Sequence, residues 1–247
     1  MARALVGDRR RHVKVLAIET ATPVLSCALV CAGALAGEME APAGRRHAEV
    51  LAPAIQVLCA DAGVSLRDLD AVVVDVGPGL FTGLRVGIAT AKALASALAL
   101  PLAGVTSLQA LALPHVGDRS RIASVVDVRR GEVAWALFAG EVGNDQVGKY
   151  GGGLPAQLHP PEVVSPAGLA AGLAGIGTDV LVVGDGARRH SSELAGIPGV
   201  ELAQPASDYP AARDVAALAD AALAAGVSVV PLYLRSADVR IGWAQRG

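Results

Sequence analysis

Two stretches of this chain repeat one another at nearly the same interval, and that repeat constrains the fold more than any other feature. Lys14–Glu19 and Ile122–Asp127 are short apolar runs that each close on an acidic residue, and Glu19 and Asp127 lie 108 positions apart. Val72–Val76 leads into Gly77-Pro78-Gly79, and Val180–Val183 leads into Gly184-Asp185-Gly186, an offset of 107 between the glycines. A chain of 247 residues with such a repeat is long enough for two modest lobes of similar build, each with its own core.

The first copy is the easier to read. Lys14–Thr20, Leu25–Cys31 and the region Ala34–Glu40 are strand-length runs joined by Thr22-Pro23 and Ala32-Gly33, the spacing of an antiparallel meander. Val50, Leu51, Ala54, Ile55 and Leu58 share one helical face over Arg46–Ala62, and Gly63 stops the helix. Pro53 within it predicts a kink or a late first turn. The β-branched run Ala71–Val76 predicts a buried strand, followed by a loop over Gly77–Thr82 and a helix over Gly83–Ala99. Leu102–Val105 then predicts a strand and Ser107–Leu113 a short helix. In the second copy Ile122–Asp127, Glu132–Ala139 and Val180–Val183 read as strands. A helix near Ala211–Ala225 and an extended piece Val229–Leu234 close the chain. Gly140–Pro161, with three consecutive glycines, reads as a mobile loop or a frayed hairpin.

A duplicated β-β-β-α-β-α unit resembles the actin, sugar-kinase and Hsp70 (ASKHA) superfamily, an actin-like α/β fold of two facing subdomains; a generic two-domain α/β protein is the plainer reading. The boundaries expected are a flexible extension over 1–13, a first subdomain over 14–113, a second over 114–235 and a tail over 236–247. The helix of 211–225 is expected to pack back on the first subdomain.

Composition narrows the functions. Hydrophobic residues make up 53% of the chain and aromatics only 3%, so the core must be built from Ala, Val, Leu and Ile. The formal net charge is −2, which excludes a protein that grips nucleic acid through many phosphates; any RNA contact is partial or made through a partner. Cys27, Cys31 and Cys59 are odd in number and form no C-x-x-C pair, which speaks against a disulfide framework or a zinc site and for the cytosol. The apolar runs are broken well before membrane-spanning length, and the run after the basic N-terminus stops at Glu19, too early for a signal peptide.

The richest stretch is Asp75–Gly87, where a buried strand hands over to a helix. Gly77, Gly79 and Gly83 allow close approach of a backbone or a phosphate, and Thr82 is placed to cap the helix, so Gly77, Gly79, Thr82 and Gly83 form a candidate phosphate loop. Such a loop would suit an actin-fold nucleotide-binding ATPase or kinase-like enzyme. It matches neither a P-loop, because no Lys-Ser/Thr follows, nor the dinucleotide fingerprint. The alternative is a tight strand–turn–helix joint with no ligand. Arg129-Arg130 beside Asp127 reads either as an anion site at a domain junction or as a solvated turn with local ion pairs. No G-x-S-x-G elbow is present, and no Ser or Cys stands near a His with a supporting acid. No catalytic residue is therefore assigned.

Four stretches together carry a specific resemblance. Gly77, Pro78, Gly79, Phe81, Thr82, Gly83, Arg85, Gly87 and Lys92 resemble the G-P-G-S-F-T-G-x-R-x-G signature and following Lys helix of the TsaB (YeaZ) family. Leu80 stands where the family has Ser. Glu19-Thr20-Ala21-Thr22 resembles its opening D-T-S/T, Asp127–Val133 its D-A-R-R-G-E-V, and Pro231–Arg235 its P-x-Y-L-R tail.

The resemblance implies a chain that does no catalysis alone. It would be a partner subunit required with TsaD, and with the ATPase TsaE, to transfer a threonylcarbamoyl group, made as an adenylate by TsaC, to the anticodon-adjacent adenosine of ANN-decoding tRNAs. The resemblance implies no cofactor of its own, ATP or ADP held in the complex, tRNA reached through the complex, and self-association in the absence of TsaD. The catalytic relative TsaD holds its metal through H-x-x-x-H; here His47 is followed four positions later by Leu51, so no metal ligand set is assigned and His47 reads as a helix-start or surface residue. The interface with TsaD would lie on the first two helices, at His47, Val50, Leu51 and Ile55 and at Arg85, Ile88, Ala91, Leu94 and Ala95. The second helix is small or aliphatic on nearly every face, so it is either buried on both sides or presents a patch to a partner.

Overall fold

The computed structural model describes residues 13–44, 46–140, 155–177 and 179–234. The expected extension over 1–13, apart from Val13, and the tail over 236–247 lie outside them. Strands β1 (Lys14–Glu19), β2 (Val24–Cys31) and β3 (Ala34–Pro42) form the meander, followed by α1 (His47–Asp61), β4 (Ala71–Asp75), α2 (Phe81–Leu98), β5 (Leu102–Val105) and α3 (Ser107–Ala112). The second copy runs β6 (Arg121–Asp127), β7 (Val133–Ala139), β8 (Gln157–Val164), α4 (Pro166–Ile176), β9 (Val180–Val183), α5 (Asp185–Arg189), α6 (Ser191–Leu194) and β10 (Val200–Leu202). Helices α7 (Ala212–Ala217) and α8 (Ala219–Ala225) come last.

The two five-stranded sheets have the same topology, β3-β2-β1-β4-β5 and β8-β7-β6-β9-β10. In each, the first strand pairs antiparallel with the second and parallel with the fourth: Glu19 faces Ser26 and Ile18 faces Val74, while Asp127 faces Val133 and Ser124 faces Val183. This duplicated mixed sheet is the actin-like (ASKHA) fold.

Pleating explains the first lobe's near-continuous apolar runs. Successive side chains of a strand point to opposite faces, and both faces of this sheet are covered. Leu16 and Ile18 pack with Leu51, Ile55, Leu58, Ile88 and Ala91 of α1 and α2 on one side. Val15 and Ala17 pack with Ala212, Val215, Ala219 and Ala222 of α7 and α8 on the other. The alanines let those helices lie close to the strands. Helices from the end of the chain therefore complete the lobe built by its beginning, and Ala212 N donates to Ser26 Oγ at 2.9 Å.

Several elements differ from the sequence reading. The helix expected over 211–225 is two helices meeting at Leu218. The stretch over 140–161, read as a mobile loop or a frayed hairpin, ends in the start of β8, which pairs antiparallel with β7 as the second arm of a hairpin would. As an edge strand it tolerates Pro160 and Pro161 because one side of an edge strand needs no ladder partner; residues 141–154 lie outside the described ones. Helix α1 runs from His47 to Asp61 with Pro53 inside it, so Pro53 does not mark a late first turn. Helix α2 begins at Phe81, two residues before the expected start.

Candidate functional site

The glycine loop leaves β4 at the buried Asp75. Gly77 N donates to Asp75 Oδ1 at 2.7 Å, and Ser107 Oγ lies 2.8 Å from both carboxylate oxygens. Gly77 has φ +99°, a region costly to other residues, and the Gly77-Pro78 peptide is cis. Thr82 is exposed and does not cap the helix: the N-cap position is Leu80, with no side-chain cap, so the expected role of Thr82 is corrected.

The space above the glycines is filled by the chain itself. A Cβ on Gly79 would stand 2.3 Å from the Ala21 carbonyl oxygen, on Gly83 2.0 Å from the Thr20 carbonyl oxygen, and on Gly87 2.1 Å from Thr20 Oγ1. Leu80 N donates to the Ala21 carbonyl at 2.6 Å, and Thr20 Oγ1 donates to the Gly83 carbonyl at 2.9 Å. The turn between β1 and β2 thus packs directly on Gly79, Gly83 and Gly87. Of the two readings of this loop, the geometry favours the tight joint.

His47 belongs to the same joint. Its Nε2 lies 2.9 Å from the Thr22 carbonyl oxygen, an acceptor, which makes Nε2 the protonated nitrogen. It is the first residue of α1, as expected, but it is buried rather than at the surface. Under the turn lie two fully buried carboxyl groups, Glu19 and Asp75. Burial first, and then the neighbouring Asp75, holds Glu19 well above the usual carboxylate range, although Ala21 N donates to it at 2.6 Å. Burial pushes Asp75 up to about 7 against the donors Gly77 and Ser107, which pull it down.

The residues expected at a partner interface divide between core and surface. His47, Leu51, Ile55, Ile88, Ala91 and Ala95 are buried within the lobe and offer nothing to a partner in this conformation. Val50 and Leu94 are half-buried and Arg85 is exposed. The outward strip of α1 and α2 carries instead Pro53, Val57, Ala89, Lys92 and Ala93, with Val57 46% exposed. Beside it an apolar groove of about 340 Å³ opens between α1 and the β2–β3 hairpin, lined by Leu25, Met39, Val50, Pro53, Ala54 and Val57.

A second cluster joins two distant motifs. Phe81 and Tyr233 are 52% and 46% exposed, with ring centroids 5.3 Å apart. The Arg85 guanidinium lies 3.7 Å above the Phe81 ring, and its Nε donates to Tyr233 Oη at 3.1 Å. The C-terminal segment is pinned there by Leu232 N, which donates to the Val76 carbonyl at 2.7 Å. Sequence reading placed neither Phe81 nor Tyr233 at a site; the only signal was that both fall inside the family-like motifs.

The family model described as TsaD, tRNA N6-adenosine threonylcarbamoyltransferase, matches residues 41–243. The tRNA threonylcarbamoyladenosine biosynthesis protein TsaB of Escherichia coli is 31% identical over 231 residues, spanning 91% of this chain and 95% of that protein. This chain belongs to the TsaB family. An uncharacterized protein of Mycobacterium tuberculosis is 39% identical over 228 residues, spanning 92% of the chain and 93% of its own length. The structure of YeaZ from Pseudomonas aeruginosa superposes with a TM-score of 0.74 at 28% identity, covering 90% of this chain and all of that one. As a member of the TsaB family the chain falls within the wider group that the TsaD model describes. Its departure from an H-x-x-x-H pair has a structural counterpart: Leu51 is a core residue and His47 is tied to a backbone carbonyl.

Proposed function

We propose that this chain takes part in tRNA threonylcarbamoyladenosine biosynthesis as the non-catalytic partner subunit of a TsaD-type transferase. The observation that carries the reading is the fate of His47. Nearly full-length kinship to TsaB proteins supports the pathway. The use of His47 as a structural donor to Thr22, with Leu51 sunk in the core, supports a subunit that supplies no metal to the reaction. The packing of Thr20 and Ala21 against Gly79, Gly83 and Gly87 gives these glycines a structural role, which favours the tight joint over the phosphate loop of a free-standing ATPase or kinase.

The partner surface is the outward strip of α1 and α2 with the groove beside Val57. TsaD docks there, TsaE joins the pair with ATP or ADP held in the assembly, and TsaC supplies the activated threonylcarbamoyl group. Without TsaD, two copies of the chain pair through the same strip. The physical role is coupling: a subunit that binds one arrangement of TsaD better than another raises the population of that arrangement. The test is solution mass by light scattering, for the chain alone and mixed with its cognate TsaD. A defined heterodimer supports the reading. Failure to form any complex across nucleotide and salt conditions overturns it.

A further inference from the structure

The pseudo-symmetry of the two lobes exposes a difference between them. In the first lobe the turn after β1, Thr20 to Thr22, is buried beneath the glycine loop and the long helix α2. In the second lobe the corresponding turn after β6 carries Arg129, Arg130 and Gly131, all exposed. The helix in the place of α2 is cut to the five residues Asp185–Arg189, so it does not roof the turn. What is sealed in one lobe is open in the other.

The open turn gathers cations. Arg129 Nη1 and Arg189 Nη1 approach the same oxygen, Asp127 Oδ2, at 3.2 and 3.3 Å, and both side chains remain more than half exposed. Arg130 stands at the tip. Asp127 is in turn fixed from below: its N–H donates to Asp185 Oδ1 at 3.0 Å. Burial pushes Asp185 up to about 6, so its charge offsets the arginines least in mildly acidic solution. Arg129 and Arg189 thus stand more than half exposed over Asp127, with Arg130 exposed beside them.

The backbone makes the residue choice more telling. Arg129, Arg130 and Gly131 have φ of +68°, +60° and +74°, and the hairpin is closed by Glu132 N donating to the Arg129 carbonyl at 3.2 Å. Glycine or asparagine holds such a left-handed turn at lower cost than arginine. Two arginines in succession there trade backbone comfort for side-chain chemistry. Guanidinium groups are suited to phosphate because their donors form a fork that matches two oxygens.

We propose that Arg129, Arg130 and Arg189 form a phosphodiester-binding site through which this chain itself touches the RNA substrate; this rests on the reading that the chain serves tRNA modification. The open turn suits a strand backbone running across it. With a net charge of −2 the chain neutralises one or two phosphates here, which sets orientation more than affinity.

The test titrates end-labelled, unmodified tRNA transcript with the full chain and with its TsaD complex, by fluorescence anisotropy between about 50 and 200 mM KCl. Arg130→Gly suits the turn's φ, so its melting temperature should hold or rise. Its RNA affinity should fall roughly three- to tenfold at low salt, and the slope of log K against log salt should lessen by about 1. Arg189→Gln, which leaves Arg129 on Asp127, should move in the same direction, and Arg67→Gln on the first lobe should match wild type. Unchanged affinity and slope in both turn variants overturn the proposal. So does a turn that takes inorganic pyrophosphate by calorimetry, in an Arg130-dependent way, while RNA binding ignores Arg130. Light scattering with TsaD separates the two failures: loss of the heterodimer in wild type strikes the partner reading, whereas the salt titration of the free chain still reads the arginine turn.

Discussion

Alanine placed at two glycines should change stability in opposite directions. Gly83 lies in the first turn of α2, and a Cβ there would stand 2.0 Å from the Thr20 carbonyl oxygen, a backbone atom that cannot swing aside. The β1–β2 turn would have to retreat by more than an ångström, straining the 2.9 Å bond from Thr20 Oγ1 to the Gly83 carbonyl. Overpacking of this kind costs about 1–3 kcal/mol and a lost hydrogen bond about 1 kcal/mol, against about 1 kcal/mol regained from helix propensity. The net expectation is a loss of about 2 kcal/mol, or roughly 4–8 °C in Tm for a chain of this size. Gly175 in α4 has nothing within 4 Å of its would-be Cβ, so Gly175→Ala should gain about 0.5 kcal/mol. Urea and thermal unfolding followed by circular dichroism read both. A Gly83→Ala protein as stable as wild type would refute the claim that the glycines exist to seat the turn, and would reopen the loop to a ligand.

Asp75, with a folded pKa of about 7, and Glu19, also raised, bind protons in the folded state that the unfolded chain has already released at the same pH, so stability should fall as pH rises from about 5 to 8. Asp75→Asn should flatten that slope in denaturant titrations, and a stability that climbs over this window would contradict the assignment. Val57→Glu, exposed beside the groove, should leave the unfolding free energy within about 0.5 kcal/mol of wild type while abolishing the heterodimer seen by light scattering; intact binding moves the interface elsewhere. Burial pushes the Cys27 thiol up to about 12 and raises Cys59 as well, so iodoacetamide at pH 8 should modify the half-exposed Cys31 long before either, as mapped by mass spectrometry.

The first lobe was legible because its signals are local. Thr22-Pro23 and Ala32-Gly33 punctuate the strands, and the face of Leu51, Ile55 and Leu58 repeats at helical spacing. The start of α2 was misread because Gly83, three residues into the helix, looks like a loop residue until Thr20 is seen pressed against it. Periodicity also cannot tell which side of an all-apolar helix meets the sheet. Ile88, Ala91 and Ala95 therefore read as partner-facing, although they are core, while Ala89 and Ala93 face outward. Strand β8 was lost behind Pro160 and Pro161, which argue against a strand unless its edge position is known. The Phe81–Arg85–Tyr233 cluster joins residues up to 152 positions apart and has no local signature.

Helices α7 and α8 and the segment pinned at Leu232 belong to the end of the chain, yet they cover the sheet built by its beginning. During synthesis that sheet must therefore wait. At about 5–20 residues per second the ribosome needs roughly 10 s to travel from α3 to Leu232. Meanwhile Val15, Ala17, Val73 and Ala103 lack their covering helices, and the second sheet has time to assemble first. Of the two lobes, the one whose sheet emerges earlier is then the later to be finished. A premature stop before Ala212 should release an aggregation-prone, uncovered sheet rather than a working half.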